Sequence, residues 1–194
     1  MEKYPVKKYP VISACGLDCG LCPAYHRETP SRCPGCCGQG FWEKSQGCGF
    51  VTCCVKKRGL EVCAQCVEFE FCPRVIKLLK QAEKFDSLLS YQTIAGNFTF
   101  IREYGIEPWV KGAEEKIAFL DWLLDNYNDG RSKGLYCLSV QLLPLDQMKK
   151  AMADNQIDSQ PDIRNKAKLI KKAFNSLASA SGIELKLRSK IRTA

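Results

Sequence analysis

Apolar residues recur at three- and four-residue spacings from residue 73 onward, and far less regularly before it. Pro73 suits a first helical turn, and Val75, Ile76, Leu78, Leu79, Ala82, Phe85, Leu88 and Leu89 fall close to one helical stripe. A shorter helix is predicted over 97–104, ending at Gly105, with Phe98, Ile101 and Tyr104 inward. Pro108 opens the next, where Val110, Ile117, Leu120, Leu123, Leu124 and Tyr127 share a face and Asp129-Gly130 stops the chain. Residues 135–143 (LYCLSVQLL) suit either a buried helix or a strand; they are read as a helix broken at Pro144 and followed by another over 146–154. Pro161 opens the clearest element, with Ile163, Ala167, Ile170, Phe174, Leu177 and Ser181 on one side and Gly182 as its cap. Ile183, Leu185 and Leu187 then alternate with Glu184, Lys186 and Arg188, which predicts a terminal β-strand.

The stretch before residue 73 is of another kind. Residues 1–12 alternate Lys with Tyr, Val and Pro, predicting an extended arm whose Val11 and Ile12 enter a short strand. Residues 15–72 hold twelve of the thirteen cysteines among Gly and Pro. With so little Leu, Ile and Val, such a segment needs cross-links in place of a self-sufficient apolar core. Gly and Pro beside the cysteines supply tight turns with amides free to point at sulfur. One short helix is predicted over 52–59, stopped by Gly59. The expected fold class is therefore α+β, mainly α: an irregular Cys-rich module over 1–85 and a mainly helical domain with a short C-terminal strand over 86–194.

The N-terminal residues contain no signal-peptide-like apolar run, and no segment approaches the roughly 20 apolar residues of a bilayer span. The expectation is a cytoplasmic protein without membrane association. In a reducing compartment, dense cysteines point to metal rather than disulfides, and an odd total leaves one thiol over in any fully bridged scheme.

Charge changes with that reading. The formal +8 counts every thiol as neutral; twelve thiolates holding three Zn²⁺ would bring it to +2. The remaining basic excess lies in residues 160–194, nine Lys or Arg against two Asp or Glu. Nucleic acid is a possible partner of that segment, but no aromatic residues interleave the charge, so a solvated helix face and a lysine-protected edge are favoured. No GxxxxGK loop occurs. His26 is the only histidine, which excludes a Ser-His-Asp set elsewhere, and Cys137, among Leu135, Leu138, Val140 and Leu142, reads as a core residue.

Cys33-Pro-Gly-Cys36 and Cys63-Ala-Gln-Cys66 are the paired ligands of tetrahedral zinc sites. Cys15, Cys19 and Cys22 have the three-then-two spacing of radical S-adenosylmethionine enzymes, but the helical pattern lacks the strand alternation that their barrel requires. A ferredoxin-like Fe4S4 cluster is the stronger alternative, since both zinc and iron take thiolates; separated Cys-x-x-Cys pairs favour zinc.

The order CGLDCGLCPAY, CPGC, a lone Cys48 and CCVKKRGLEVCAQCVEFEFCP resembles a cysteine-rich family of unknown function found in bacteria and archaea, often anaerobes, over about residues 12–75. The resemblance implies metal binding and brings no activity with it. On its pattern fall Cys15, Cys19, Cys22, Cys33, Cys36, Cys48, Cys54, Cys63, Cys66 and Cys72; Cys37 and Cys53 are additions beside pattern cysteines. Ten thiolates suit two four-ligand sites with two left over, or two sites and an incomplete third. The partition stays open, as does ligation by Cys37, Cys53 or His26. The functional expectation is a zinc protein whose structural sites support a surface for a protein partner, with an iron–sulfur redox or radical enzyme as the first alternative and a nucleic-acid-binding protein as the second.

Overall fold

The computed structural model describes residues 5–160 and 162–189. The chain forms two compact units, one of residues 1–114 with 187–194 and the other of residues 115–186. The division falls inside a helix rather than near residue 85, so the Cys-rich stretch shares its unit with helices.

In the first unit, after the short helix α1 (Phe41–Lys44) and a π-helical turn over Val51–Lys57, come α2 (Pro73–Ala82), α3 (Ile94–Tyr104) and the start of α4 (Ile106–Tyr127). Val75, Leu78 and Ala82 of α2 and Phe98 and Ile101 of α3 are buried as the periodicity predicts, and α3 starts earlier than expected, with Ile94 also inward. Ile76 and Leu88, expected on the same stripe, are exposed, and α2 ends before Phe85, Leu88 and Leu89. Tyr104, expected inward, is exposed. Gly105, at φ +90°, alone separates α3 from α4. These helix faces join Ile12, Ala14, Val51, Val55, Val62, Phe69 and four cysteines in one core. The Cys-rich stretch therefore borrows apolar surface from the helices after it. Phe69 meets Phe98 edge-on at 5.0 Å, and Arg102 on α3 reaches the Ala64 carbonyl (3.2 Å) and Glu70 (3.0 Å).

The second unit holds the rest of α4 with α5 (Lys133–Leu142), α6 (Leu145–Asp154) and α7 (Ile163–Ala180). Its core takes Leu120, Leu123 and Tyr127 from α4, Tyr136 and Val140 from α5, Met148 from α6, and Ile170 and Phe174 from α7, all buried. Residues 135–142 are thus helical, with Leu143 extended beyond the helix end, and Cys137 is buried among them. Tyr136 donates to the Tyr127 carbonyl at 2.8 Å. Pro161, expected to open α7, lies outside the described residues; Asp162 caps the helix by accepting the Asn165 amide at 3.0 Å. Ile163, expected on the inner face, is 43% exposed.

The expected α+β class is overturned: the described residues contain helices and no strand. Residues 11–12 and 183–187 are extended or turning chain without a ladder. At the C-terminal end the Ile183 amide turns back to the Ala178 carbonyl (2.8 Å). Pairing there is confined to Arg188 and Asp86: the Asp86 amide donates to the Arg188 carbonyl (2.9 Å) and the Arg188 amide to Asp86 Oδ2 (2.8 Å). Alternating apolar residues fit any extended chain; a strand also needs a neighbouring extended backbone to exchange hydrogen bonds with.

Candidate metal centre

The arm over residues 7–14 is the scaffold on which the cysteine loops hang. The Lys7 amide donates to the Cys37 carbonyl (2.9 Å), the Pro10 carbonyl accepts from Cys36 (2.9 Å), the Val11 carbonyl from Gly20 (2.8 Å) and the Ala14 carbonyl from Cys63 (2.9 Å). Three cysteine bursts are thereby pinned to eight residues of chain. The CPGC turn is pressed against this arm: a Cβ on Gly35, which sits at φ +82°, would lie 2.4 Å from the Pro10 carbonyl oxygen. On the other side, Asp18 takes the Thr93 hydroxyl (2.5 Å) and Asn97 Nδ2 (3.0 Å), so α3 fixes the first burst. Asp18 is a docking residue here.

Cys15, Cys19, Cys33, Cys36 and Cys48 line one cavity of about 250 Å³, with Phe41 and Val51 in its apolar wall. Hydrogen-bond donors are turned toward the sulfurs. The Ala14 amide lies 3.5 Å from Cys36 Sγ, and Ser13 Oγ, which accepts the Leu17 amide at 2.7 Å, lies 3.1 Å from Cys15 Sγ. The Ala24 and Tyr25 amides serve Cys22, which also feels the charge of Cys33. Such donors stabilise sulfur that carries negative charge.

Burial works against that charge. It pushes the Cys15 thiol up to about 11, over the opposing effect of the Ser13 hydroxyl, and raises Cys19 and Cys22 as well. Cys36 goes the other way: a hydrogen bond from the Cys37 thiol, assisted by the Lys7 charge and the Ala14 amide, holds it below the ordinary thiol value in spite of burial. Cys37 is raised because it is the donor in that pair. Cys15 and Cys19 in this cavity therefore keep their protons unless a cation displaces them.

The remaining cysteines separate into two places. Cys54 and Cys63 are buried in the core with their thiols hydrogen-bonded, Cys63 raised as the donor, and Cys54 Sγ lies 3.5 Å from the Leu60 carbonyl. Cys53 and Cys72 line a second, larger cavity with Arg58 and Glu68. The Arg58 guanidinium pairs with Glu68 at 2.5 Å, bonds Cys53 and feels the charge of Cys66.

Of the ten predicted ligands, five are brought to one cavity, Cys22 stands beside Cys33, Cys54 and Cys63 form a buried pair, and Cys66 and Cys72 lie on the Arg58 side. Both added cysteines are in use, Cys37 as partner of Cys36 and Cys53 in place of Cys54 at the second cavity. His26 Nε2 donates to the Gly20 carbonyl at 2.7 Å. Among the described residues, no three Cys, His, Asp or Glu side chains converge as a ready metal site. The donor set nonetheless suits a thiophilic cation: five sulfurs around one apolar space, with N–H and O–H groups on the sulfurs and no competing carboxylate in the lining. Sequence reasoning missed Lys7, whose buried side chain is distinguished from exposed Lys8 by nothing in the local sequence.

Fold and cavity together define a class, a helical protein with a multi-thiol pocket. No family model, curated protein or solved structure matches the chain. No helix of the described residues is long and apolar enough to cross a membrane.

Proposed function

We propose that this is a cytoplasmic metal-binding protein, with Zn²⁺ the expected ion, in which Cys15, Cys19, Cys33, Cys36 and Cys48 supply the thiolates of the principal site. The observation that carries the reading is the single cavity these five residues line, with donors turned toward the sulfurs. The metal's role is structural: a tetrahedral ion takes four thiolates and contributes roughly 10–16 kcal/mol to folding in small zinc modules. Beside this site, Val67 and Phe71, 92% and 86% exposed, stand between Cys66 and Cys72 as a surface suited to a protein partner.

Elemental analysis of protein purified without oxygen tests this. At least one zinc per chain is expected, lost when Cys19 and Cys36 are both replaced by serine, with a matching loss of protease resistance when a chelator is added. Iron and sulfide with a brown colour absorbing near about 400 nm would replace zinc by an iron–sulfur cluster in the same cavity. Protein free of both metals, yet equally resistant to protease with and without chelator, would overturn the reading.

A further inference from the structure

Lys7 is a buried lysine whose charge is felt at four of the thiols. The residue is 5% exposed, and among the described residues its Nζ donates to the Ile12 carbonyl at 2.5 Å. No carboxylate among the described residues pairs with it. Glu61, whose charge is felt at Cys36, is taken by the Lys8 and Tyr9 amides at 2.8 and 2.9 Å. A buried ammonium without a counter-charge is expensive, and such groups are found paired.

The groups around it that can supply the charge are sulfurs. The Lys7 amide is bonded to Cys37, its hydrogen-bonded acceptor Ile12 lies two residues from Ala14, and Ala14 bonds both Cys36 Sγ and the Cys63 amide. The Lys7 charge acts on Cys19, Cys36, Cys37 and Cys63. Two of these, Cys19 and Cys36, line the five-thiol cavity.

We propose that Lys7 is the resident counter-cation of the thiolate centre, a positioning residue whose buried ammonium offsets the charge that Cys19 and Cys36 carry once metal is bound. The inference rests on the metal-binding reading above. Four thiolates on a divalent ion leave a centre of net charge −2; the ammonium brings its surroundings to −1. Metal and Lys7 are thereby coupled: each makes the other's burial less costly, and the coupling is reciprocal. An unloaded centre leaves the ammonium without a partner, and a neutral residue 7 leaves the loaded centre without its cation.

The experiment compares full-length wild type with Lys7→Met, Lys7→Gln and Lys7→Arg, measuring Zn²⁺ affinity by competition with a chromophoric chelator and thermal midpoints with and without Zn²⁺. Lys7→Met and Lys7→Gln should each bind about 10- to 100-fold more weakly, the range for residues supporting metal ligands, and Lys7→Arg should stay near wild type. The midpoint of the loaded protein should fall in the neutral variants while that of the metal-free protein holds or rises. A hydrogen bond to Ile12 alone would be restored by glutamine and would lower both midpoints together; either result, or affinity within twofold of wild type in Lys7→Met, overturns the proposal. Should Lys7→Met not fold, the contrast of Gln with Arg decides. Wild type that binds no zinc at all overturns the metal-binding reading itself, whereas binding that is indifferent to residue 7 overturns only the role of Lys7.

Discussion

Replacing Asn97 by alanine should loosen the first cysteine burst from the helix that holds it. Asn97 on α3 donates through Nδ2 to the Gly16 carbonyl (2.9 Å) and to Asp18 Oδ1 (3.0 Å), and its Oδ1 accepts Trp109 Nε1 at 2.9 Å. One side chain therefore ties the Cys15–Cys19 loop to α3 and to α4. Loss of the bond to the carboxylate costs about 1.5–3 kcal/mol, and the buried Trp109 N–H left without an acceptor costs about 1–3 kcal/mol. Asn97 is itself half-buried, so water repays part of this, and alanine gains about 0.5 kcal/mol as a better helix former. The net expectation is about 3 kcal/mol, a large share of the roughly 5–15 kcal/mol by which domains are stable. With a urea slope of about 2 kcal/mol/M, the midpoint should fall by about 1.5 M, followed by far-ultraviolet circular dichroism. Asn97→Asp keeps an acceptor for Trp109 but sets a second carboxylate against Asp18, and should be no better than alanine. A midpoint shift below about 0.3 M, or an Asn97→Asp protein as stable as wild type, would refute this account of the loop's attachment.

Two further perturbations probe other joints. Asp86 is fully buried as a side chain, and although burial pushes its carboxyl up, the Arg188 guanidinium and the Tyr91 and Arg188 amides hold it below the ordinary value. A depressed folded value means the stabilisation is present above the unfolded pKa of about 3.9 and is lost as pH falls through the folded one. Asp86→Asn should thus cost about 2 kcal/mol at neutral pH, with the gap to wild type closing only below about pH 4; a gap unchanged down to about pH 2 in denaturant titrations would contradict the pairing. Gly35→Ala, which drives a Cβ to 2.4 Å from a backbone carbonyl oxygen at φ +82°, should cost about 4 kcal/mol, whereas Gly130→Ala, at φ +85° with nothing within 4 Å of the Cβ, should cost about 1 kcal/mol. Equal losses in the two variants would remove the Pro10 contact from the argument.

Helix faces were legible because burial on one side of a helix writes a 3.6-residue period into the chain itself. Val75 with Leu78 and Ala82, Phe98 with Ile101, and Ala167 with Ile170 and Phe174 are examples, and Cys137 was placed in a core by its apolar neighbours alone. The cysteine pattern likewise marked the stretch whose thiols line the two cavities. What the pattern lacked was any record of partners distant in sequence. Whether residues 183–187 become a strand depends on a neighbouring backbone, and the backbone that Arg188 finds is a single residue of chain at Asp86. Which cysteines share a cavity depends on how loops hang from residues 7–14; Cys15 and Cys19 meet Cys33, Cys36 and Cys48, while Cys54, matched by spacing to the other ligands, turns into the core toward Cys63 and leaves Cys53 at the second cavity. Lys7 and Lys8 are the same residue type in adjacent positions, and only the path of the arm buries one and exposes the other. Local periodicity and composition are properties of the chain; hydrogen-bond partners, thiol groupings and the burial of a charge exist only once segments far apart in sequence are packed together.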